Sequence, residues 1–191
     1  MDAGMRGGMR RATVADAAAI ARIHVDTWRA TYAGILPTDY LVNLHRGRQA
    51  AGWRRNLVTQ RSGKLTLVME EAGTGIVGFA SAGPARSGDL PLDSDINGEI
   101  YALYVGGDWQ GRGYGHALLQ GVVANLFEND RGAVAAWVIE ANPSRFFYEA
   151  MGGVRLASRR ERFAGIDLDE IAYVWRGHSG DSDNSAETRF D

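Results

Sequence analysis

Three groups of residues in this 191-residue chain have types and spacing suited to chemistry. The densest is Gln110-Gly111-Arg112-Gly113-Tyr114-Gly115, in which glycines alternate with polar and aromatic side chains. It follows Glu99 to Val105, a run of β-branched, aromatic and aliphatic residues that reads as a strand. After it, Leu118, Val122 and Leu126 form one helical row beside Leu119, Val123 and Phe127. A strand, a glycine-rich turn and a helix N-terminus make an anion site. Glycines let a ligand approach the backbone, N–H groups point outward, and the helix dipole favours negative charge. The expected ligand is a phosphate or pyrophosphate. Spacing excludes two familiar forms of such a site. A P-loop needs Lys-Ser/Thr after its last glycine, whereas His116 and Ala117 follow Gly115. A dinucleotide fingerprint needs two residues between its second and third glycines, and one separates Gly113 from Gly115.

The second group is Glu99 itself, the one carboxylate on an otherwise apolar strand. Alternation puts Glu99, Tyr101, Leu103 and Val105 on one face and Ile100, Ala102 and Tyr104 on the other. Both faces are apolar, which places the strand mid-sheet with cover on both sides. Burial there would raise the Glu99 pKa towards a value useful to a base. The third group is Asn142 to Gly153, in which Asn142 reads as a helix cap, Pro143 as the first helical residue and Gly152-Gly153 as the stop.

Around these groups the chain must supply the positioning elements. Arg10 to Ala12 begins a first strand, and Thr13 to Asp16 reads as a capping box for a helix running to about Tyr32. His24 on its apolar stripe reads as a satisfied core histidine. A second helix is expected from Thr38 to about Val58, with Arg46, Arg48, Arg54 and Arg55 on a solvated face. Leu65 to Met69 and Ile76 to Ser81 read as a hairpin. Gly83 to Gly98 is a polar loop; its Asp93, Asp95 and Asn97 imitate half an EF-hand, but the closing glutamate is missing and a strand follows, so calcium is rejected. Ala133 to Ile139 reads as a strand, and Val154 to Phe163 with Leu168 to Trp175 as a closing hairpin. The fold class is α/β, or α+β by another convention, a mixed sheet with helices on both faces. The division expected is a loose leader over 1–9, one domain over 10–176 and a polar tail over 177–191.

Composition removes several classes. There is no cysteine, so no disulfide, thiolate metal site or cysteinyl acyl-enzyme can form. The four histidines lack metal-ligand spacing. A formal charge of −2 argues against a broad nucleic-acid or anionic-membrane surface. No apolar run is long enough to span a bilayer and no signal-peptide core is present, which makes the cytoplasm the expected compartment.

The glycine-rich turn resembles the acetyl-CoA signature of GNAT-type N-acetyltransferases, Gln/Arg-x-x-Gly-x-Gly/Ala, filled here by Gln110, Gly113 and Gly115. Asn142 to Gly153, with its Phe147-Tyr148-Glu149, is similar to a second segment of that family, and the order of elements resembles its topology from about Met9 to Arg176. Tyr148 is the sixth residue after Asn142, one fewer than is usual in the family, and Gly153 stands where a phenylalanine is usual. The resemblance implies a mostly antiparallel sheet splayed at its central strands. It also implies acetyl-CoA as co-substrate, held by Leu103, Tyr104, Val105, Gln110, Gly111, Arg112, Gly113, Tyr114, Gly115 and Asn142. Asn142 would take the pantetheine arm, Tyr148 would protonate the departing thiolate, and the Val105 N–H would serve the oxyanion. Glu99 is the expected general base, directly or through a water. Trp28 and Tyr32, one helical turn apart, are the expected acceptor-binding residues. With Asp89, Asp93 and Asp95 opposite, they would suit a small cationic amine. No metal, nucleic acid or membrane is expected; a homodimer is left open. Two rival readings are a catalytically silent acyl-CoA sensor and a protein N-terminal or lysine acetyltransferase.

Overall fold

The computed structural model describes residues 8–59, 63–86, 95–129 and 132–177. Seven strands form one sheet in the order β1-β2-β3-β4-β5-β7-β6. They are β1 (Gly8–Arg11), β2 (Leu65–Glu71), β3 (Gly75–Pro84), β4 (Ile96–Val105), β5 (Ala133–Ile139), β6 (Val154–Phe163) and β7 (Ile166–Arg176). The helices are α1 (Ala17–Thr31), α2 (Thr38–Val42), α3 (Arg46–Val58), α4 (Tyr114–Glu128) and α5 (Arg145–Ala150). All pairings are antiparallel except β4 with β5. β4 is the middle strand, as its two apolar faces require.

The two faces carry separate cores. On one, α4 lays Leu118, Leu119, Val122 and Leu126 against Leu67, Val77, Ile100 and Val105. Each such aliphatic, fully buried, contributes roughly 1.5–3 kcal/mol. Gly78 on β3 permits this approach, because a Cβ there would stand 3.2 Å from the Leu118 and Val105 side chains. On the other face α1 and α3 pack Ile20, Ile23, Trp53 and Leu57 over Val68 and Phe79.

Three expectations are corrected. Strict alternation along β4 fails: Ile100 lies with Val105 and Leu103 under α4, while Ala102 and Tyr104 face the α1 side. The cause is a bulge, since Ala82 pairs with Ile100 and Ser81 with Ala102, leaving Tyr101 as the extra residue. The single second helix is two helices, broken at Asn43 to His45. There Asn43 folds back on the Asp39 carbonyl, at 3.1 Å from its backbone N and 2.8 Å from its amide, and the turn buries Leu44. The Arg29 guanidinium collects the carbonyls of Leu41, Val42 and Leu44 at 3.1, 3.1 and 2.8 Å, satisfying the rest of that helix end. Asn142 is not the terminal cap residue of α5; Ser144 is, and Asn142 Oδ1 accepts the Ser144 N–H at 2.9 Å. At the other end the Gly153 N–H reaches the Tyr148 carbonyl at 2.9 Å and the Gly152 N–H the Glu149 carbonyl at 3.1 Å, a Schellman closure.

The first strand starts at Gly8, two residues earlier than expected, and the Thr13–Asp16 capping box is present. The leader over 1–7 and the tail from 178 lie outside the described residues, as do Asp89 and Asp93.

Candidate active site

β4 and β5 pair at Ile96, Gly98, Glu99 and Ile100, and the register ends at Ile100 against Ala136. β5 continues to Ile139 paired with β7 alone, while β4 continues to Val105 paired with β3 alone. The sheet therefore splays below Ile100, and a cavity of about 480 Å³ fills the opening. Ile100 to Val105 form one wall and Ala136 to Val138 the other.

The rim is the turn into α4. Gly111 and Gly113 have φ of +73° and +80°, which directs successive backbone N–H groups outward without the Cβ strain another residue would carry. The first intrahelical bond of α4 runs from the Ala117 N–H to the Gly113 carbonyl. The N–H groups of Tyr114, Gly115 and His116 thus have no acceptor within the helix. With the helix dipole they leave unpaired donors and positive potential at the cavity rim. Gln110 does something the signature alone did not indicate: its amide donates to the Val105 carbonyl at 3.1 Å and ties the turn to the strand end.

That bond also fixes the direction of the Val105 peptide. The Gly106 N–H donates to Val77 on β3 at 2.9 Å. Neighbouring residues of a strand send their N–H groups to opposite sides, so the Val105 N–H faces the gap that β5 has left.

At the far wall, Tyr148 projects from α5 between Phe147, Tyr173 and Trp175, its ring stacked on Tyr173 at 6.1 Å. Its ring is half-buried and lines the cavity. Burial, and the nearby Tyr32 to a lesser degree, push its pKa well above the usual tyrosine value. It is a neutral proton donor throughout the physiological range.

Of the residues expected to hold the co-substrate, Leu103, Tyr104, Val105, Gln110, Gly111, Gly113, Gly115 and Asn142 line this one cavity. Arg112 and Tyr114 do not. Arg112 lies over the Trp109 ring at 4.5 Å, and the Tyr114 hydroxyl donates to the Glu71 carboxylate. Sequence reasoning missed His116, Trp137, Phe147 and the α1 residues Thr27 and Thr31 as lining residues. Only His116 and Phe147, beside the motifs, carried a local signal.

Tyr32 joins the cavity from α1, whereas Trp28 lines a neighbouring cavity of about 330 Å³ with His24, Trp53 and Lys64. Trp28 packs against Tyr32 at 5.0 Å, Phe163 at 5.9 Å and Tyr40 at 6.1 Å. Asp95 does not face these rings: it pairs with Arg176. His24 accepts the Trp53 indole N–H on Nδ1 at 3.2 Å, and burial lowers its pKa to about 4.

Glu99 stands outside the cavity lining. Its side chain is 3% exposed, and Arg86 engages it through the backbone N–H at 2.9 Å, Nε at 2.9 Å and Nη2.

Among the described residues no group of three or more His, Asp or Glu side chains gathers, and no helix is long and apolar enough to cross a membrane.

A splayed β4–β5 pair, a turn into α4 with unpaired N–H groups and the half-buried Tyr148 border one cavity. Residues 20–153 match the model of the acetyltransferase (GNAT) family, and the chain belongs to that family and is an N-acetyltransferase. It is 36% identical over 167 residues to an uncharacterised N-acetyltransferase, YuaI, of Bacillus subtilis (strain 168), covering 87% of this chain and 91% of that protein. Its fold is similar to that of the PaiA N-acetyltransferase of Thermoplasma acidophilum in complex with coenzyme A, with a TM-score of 0.66 at 18% identity over 91% of this chain and 100% of that one. The corresponding values for yncA, an acetyltransferase of Salmonella typhimurium with acetyl-CoA, are 0.67, 21%, 94% and 99%.

Proposed function

We propose that the enzyme transfers an acetyl group from acetyl-CoA to the primary amine of a small molecule, by direct attack while both substrates are bound. The observation that carries this is the cavity at the splay, where the turn into α4, the Val105 N–H and the Tyr148 hydroxyl all border one space. In this reading the pyrophosphate sits on the N–H groups from Gly111 to His116, and the pantetheine arm runs between β4 and β5 past Asn142. The thioester then stands below the Val105 N–H.

The amine lone pair adds to the thioester carbon, and the carbonyl π pair moves onto oxygen, where the Val105 N–H stabilises it. Collapse expels the thiolate, Tyr148 gives it a proton, and the proton that the nitrogen loses returns through water to the Tyr148 oxygen. The absence of cysteine supports direct attack over a thiol-linked acyl-enzyme. Glu99, held by Arg86 and outside the cavity lining, braces the start of the splay in this reading rather than taking the amine's proton.

A small acceptor is favoured over a protein chain by the aromatic cluster of Trp28, Tyr32, Tyr40 and Phe163. It joins α1 and α2 to the turn of the β6–β7 hairpin, where a peptide would need an open groove. The test is a panel of amines with acetyl-CoA, read by free-thiol release and by the mass of the acetylated product. Thiol release with no amine dependence would overturn the reading.

A further inference from the structure

The second cavity, of about 330 Å³, lies on the face of the sheet that α1 and α3 cover. Alternation presents Lys64, Thr66 and Val68 on that face from β2 and the residue before it, and Phe79, Ser81 and Gly83 from β3. Val68 and Phe79 pair in the apolar core. Two residues further along, Thr66 and Ser81 stand opposite each other, only 3% and 9% exposed, and both line the cavity. Lys64 lines it beyond them, with its stem against Gly83, where a Cβ would stand 3.1 Å from the Lys64 Cγ.

This lining holds more donors than the protein uses. The Thr66 and Ser81 hydroxyls bond each other at 3.1 Å, which spends one of their two O–H protons. The other has no acceptor among the described residues. His24, also in the lining, accepts the Trp53 indole N–H on Nδ1 at 3.2 Å. An indole can only donate, so Nδ1 is bare and Nε2 carries the imidazole proton. Of the two cations in the lining, Arg86 holds Glu99, and Lys64 has no carboxylate partner among the described residues. No aspartate or glutamate lines the cavity among those residues. The remaining walls include the rings of Trp28, Trp53, Tyr101 and Tyr104.

We propose that this cavity seats a carboxylate carried by the amine acceptor, which makes the acceptor an amino acid or another amine with one acid group and an apolar body. One unmatched positive charge suits one negative charge. A carboxylate only accepts, and it takes the ammonium, Nε2–H and hydroxyl protons that the lining leaves over. A second ammonium on the acceptor would meet Lys64 with no carboxylate between them, which disfavours a diamine. The indole and phenol rings suit an apolar body. The link to acetyl transfer is β4, because Tyr101, Ala102 and Tyr104 border both this cavity and the one at the splay. An acceptor held here by its acid end extends its amine along that shared wall. Lys64 binds the acceptor and takes no part in the bond changes. The assignment rests on the acetyl-transfer reading above.

The experiment measures kcat and both KM values with L-phenylalanine, 3-amino-3-phenylpropanoate and 4-(aminomethyl)benzoate, each set against its carboxamide, which has the same shape and no charge. The wild type is expected to take at least one acid with an acceptor KM roughly tenfold or more below that of its amide. Lys64→Met keeps the stem and removes the charge. It should erase that gap by raising the KM of the acid, with kcat and the acetyl-CoA KM within about twofold of wild type. Thr66→Val with Ser81→Ala removes both hydroxyls at similar volume, so the fold should survive while the KM of the acid rises. Amides accepted as well as the acids, or a gap that persists in Lys64→Met, overturns the inference. A loss in Lys64→Met that falls on kcat or on the acetyl-CoA KM overturns it as well. A wild type that acetylates no amine at all refutes the underlying function instead. Calorimetry with 3-phenylpropanoate then decides the site: binding that Lys64→Met removes supports a carboxylate seat, and no binding overturns it.

Discussion

At Glu99 and Ile100, β4 has a hydrogen-bonded strand on each side; from Tyr101 to Val105 it has one. In the closed half, polar groups are consumed by the protein. The Glu99 carboxylate takes three hydrogen bonds from Arg86. In the open half the Val105 N–H faces a gap, and no protein hydrogen bond to the Tyr148 hydroxyl is present among the described residues. Both halves hold a residue that the sequence marked for proton transfer. What separates them is how much bonding capacity is left for a ligand. A titratable side chain in a saturated setting braces the fold, while a donor left short at a cavity is available for chemistry.

The contrast is broken or sharpened by four measurements. Tyr148→Phe has the largest expected effect: kcat falls by roughly 10²–10⁴-fold, with CoA affinity measured by calorimetry unchanged. A variant with wild-type kcat would remove Tyr148 as the acid. Gly113→Asp puts a carboxylate among N–H groups that should meet a pyrophosphate, and CoA affinity is expected to drop by about a hundredfold or more. Asparagine and aspartate tolerate the left-handed backbone better than other residues, so the melting temperature should move little. Retained affinity would show that the turn does not hold the pyrophosphate.

Glu99→Gln probes the closed half. It should cost roughly 1–3 kcal/mol in urea unfolding, because a charge-assisted pairing becomes a neutral one. Turnover should stay within about threefold of wild type across pH. A loss of a hundredfold would restore Glu99 as the base. The last measurement, which reads stability and not turnover, concerns His24, whose folded pKa of about 4 lies below the unfolded value near 6.5. The folded state disfavours the charged imidazole, so this contribution to stability is complete above pH 6.5. It is lost as pH falls from there to about 4, and is flat below. The loss is on the order of 3 kcal/mol over that interval. His24→Gln should flatten that part of a stability–pH curve, and an unchanged slope would place the titration elsewhere.

Local chemistry marked one side of the cleft. The strand through Glu99 to Val105, the turn at Gln110 to Gly115, the α4 stripe and the stop at Gly152-Gly153 all appear where their residues placed them, although the strand begins at Ile96, inside the expected polar loop. Each depends on neighbours within about one turn or one hairpin: glycine conformations, capping groups and hydrophobic periodicity. The family itself was legible for the same reason, since its signature is a local anion site. Other features depended on contacts between distant segments. The split between α2 and α3 is held by Arg29, and the Tyr101 bulge is set by the pairing of β4 with β3. Glu99 pairs with Arg86, thirteen residues away in sequence. Tyr32 meets Asn142 across 110 residues of chain. Sequence determined which side chains could act, because reactivity belongs to residue type. Only the tertiary structure decided which of them kept a bond to spare, because saturation belongs to the partner, and the partner comes from elsewhere in the chain.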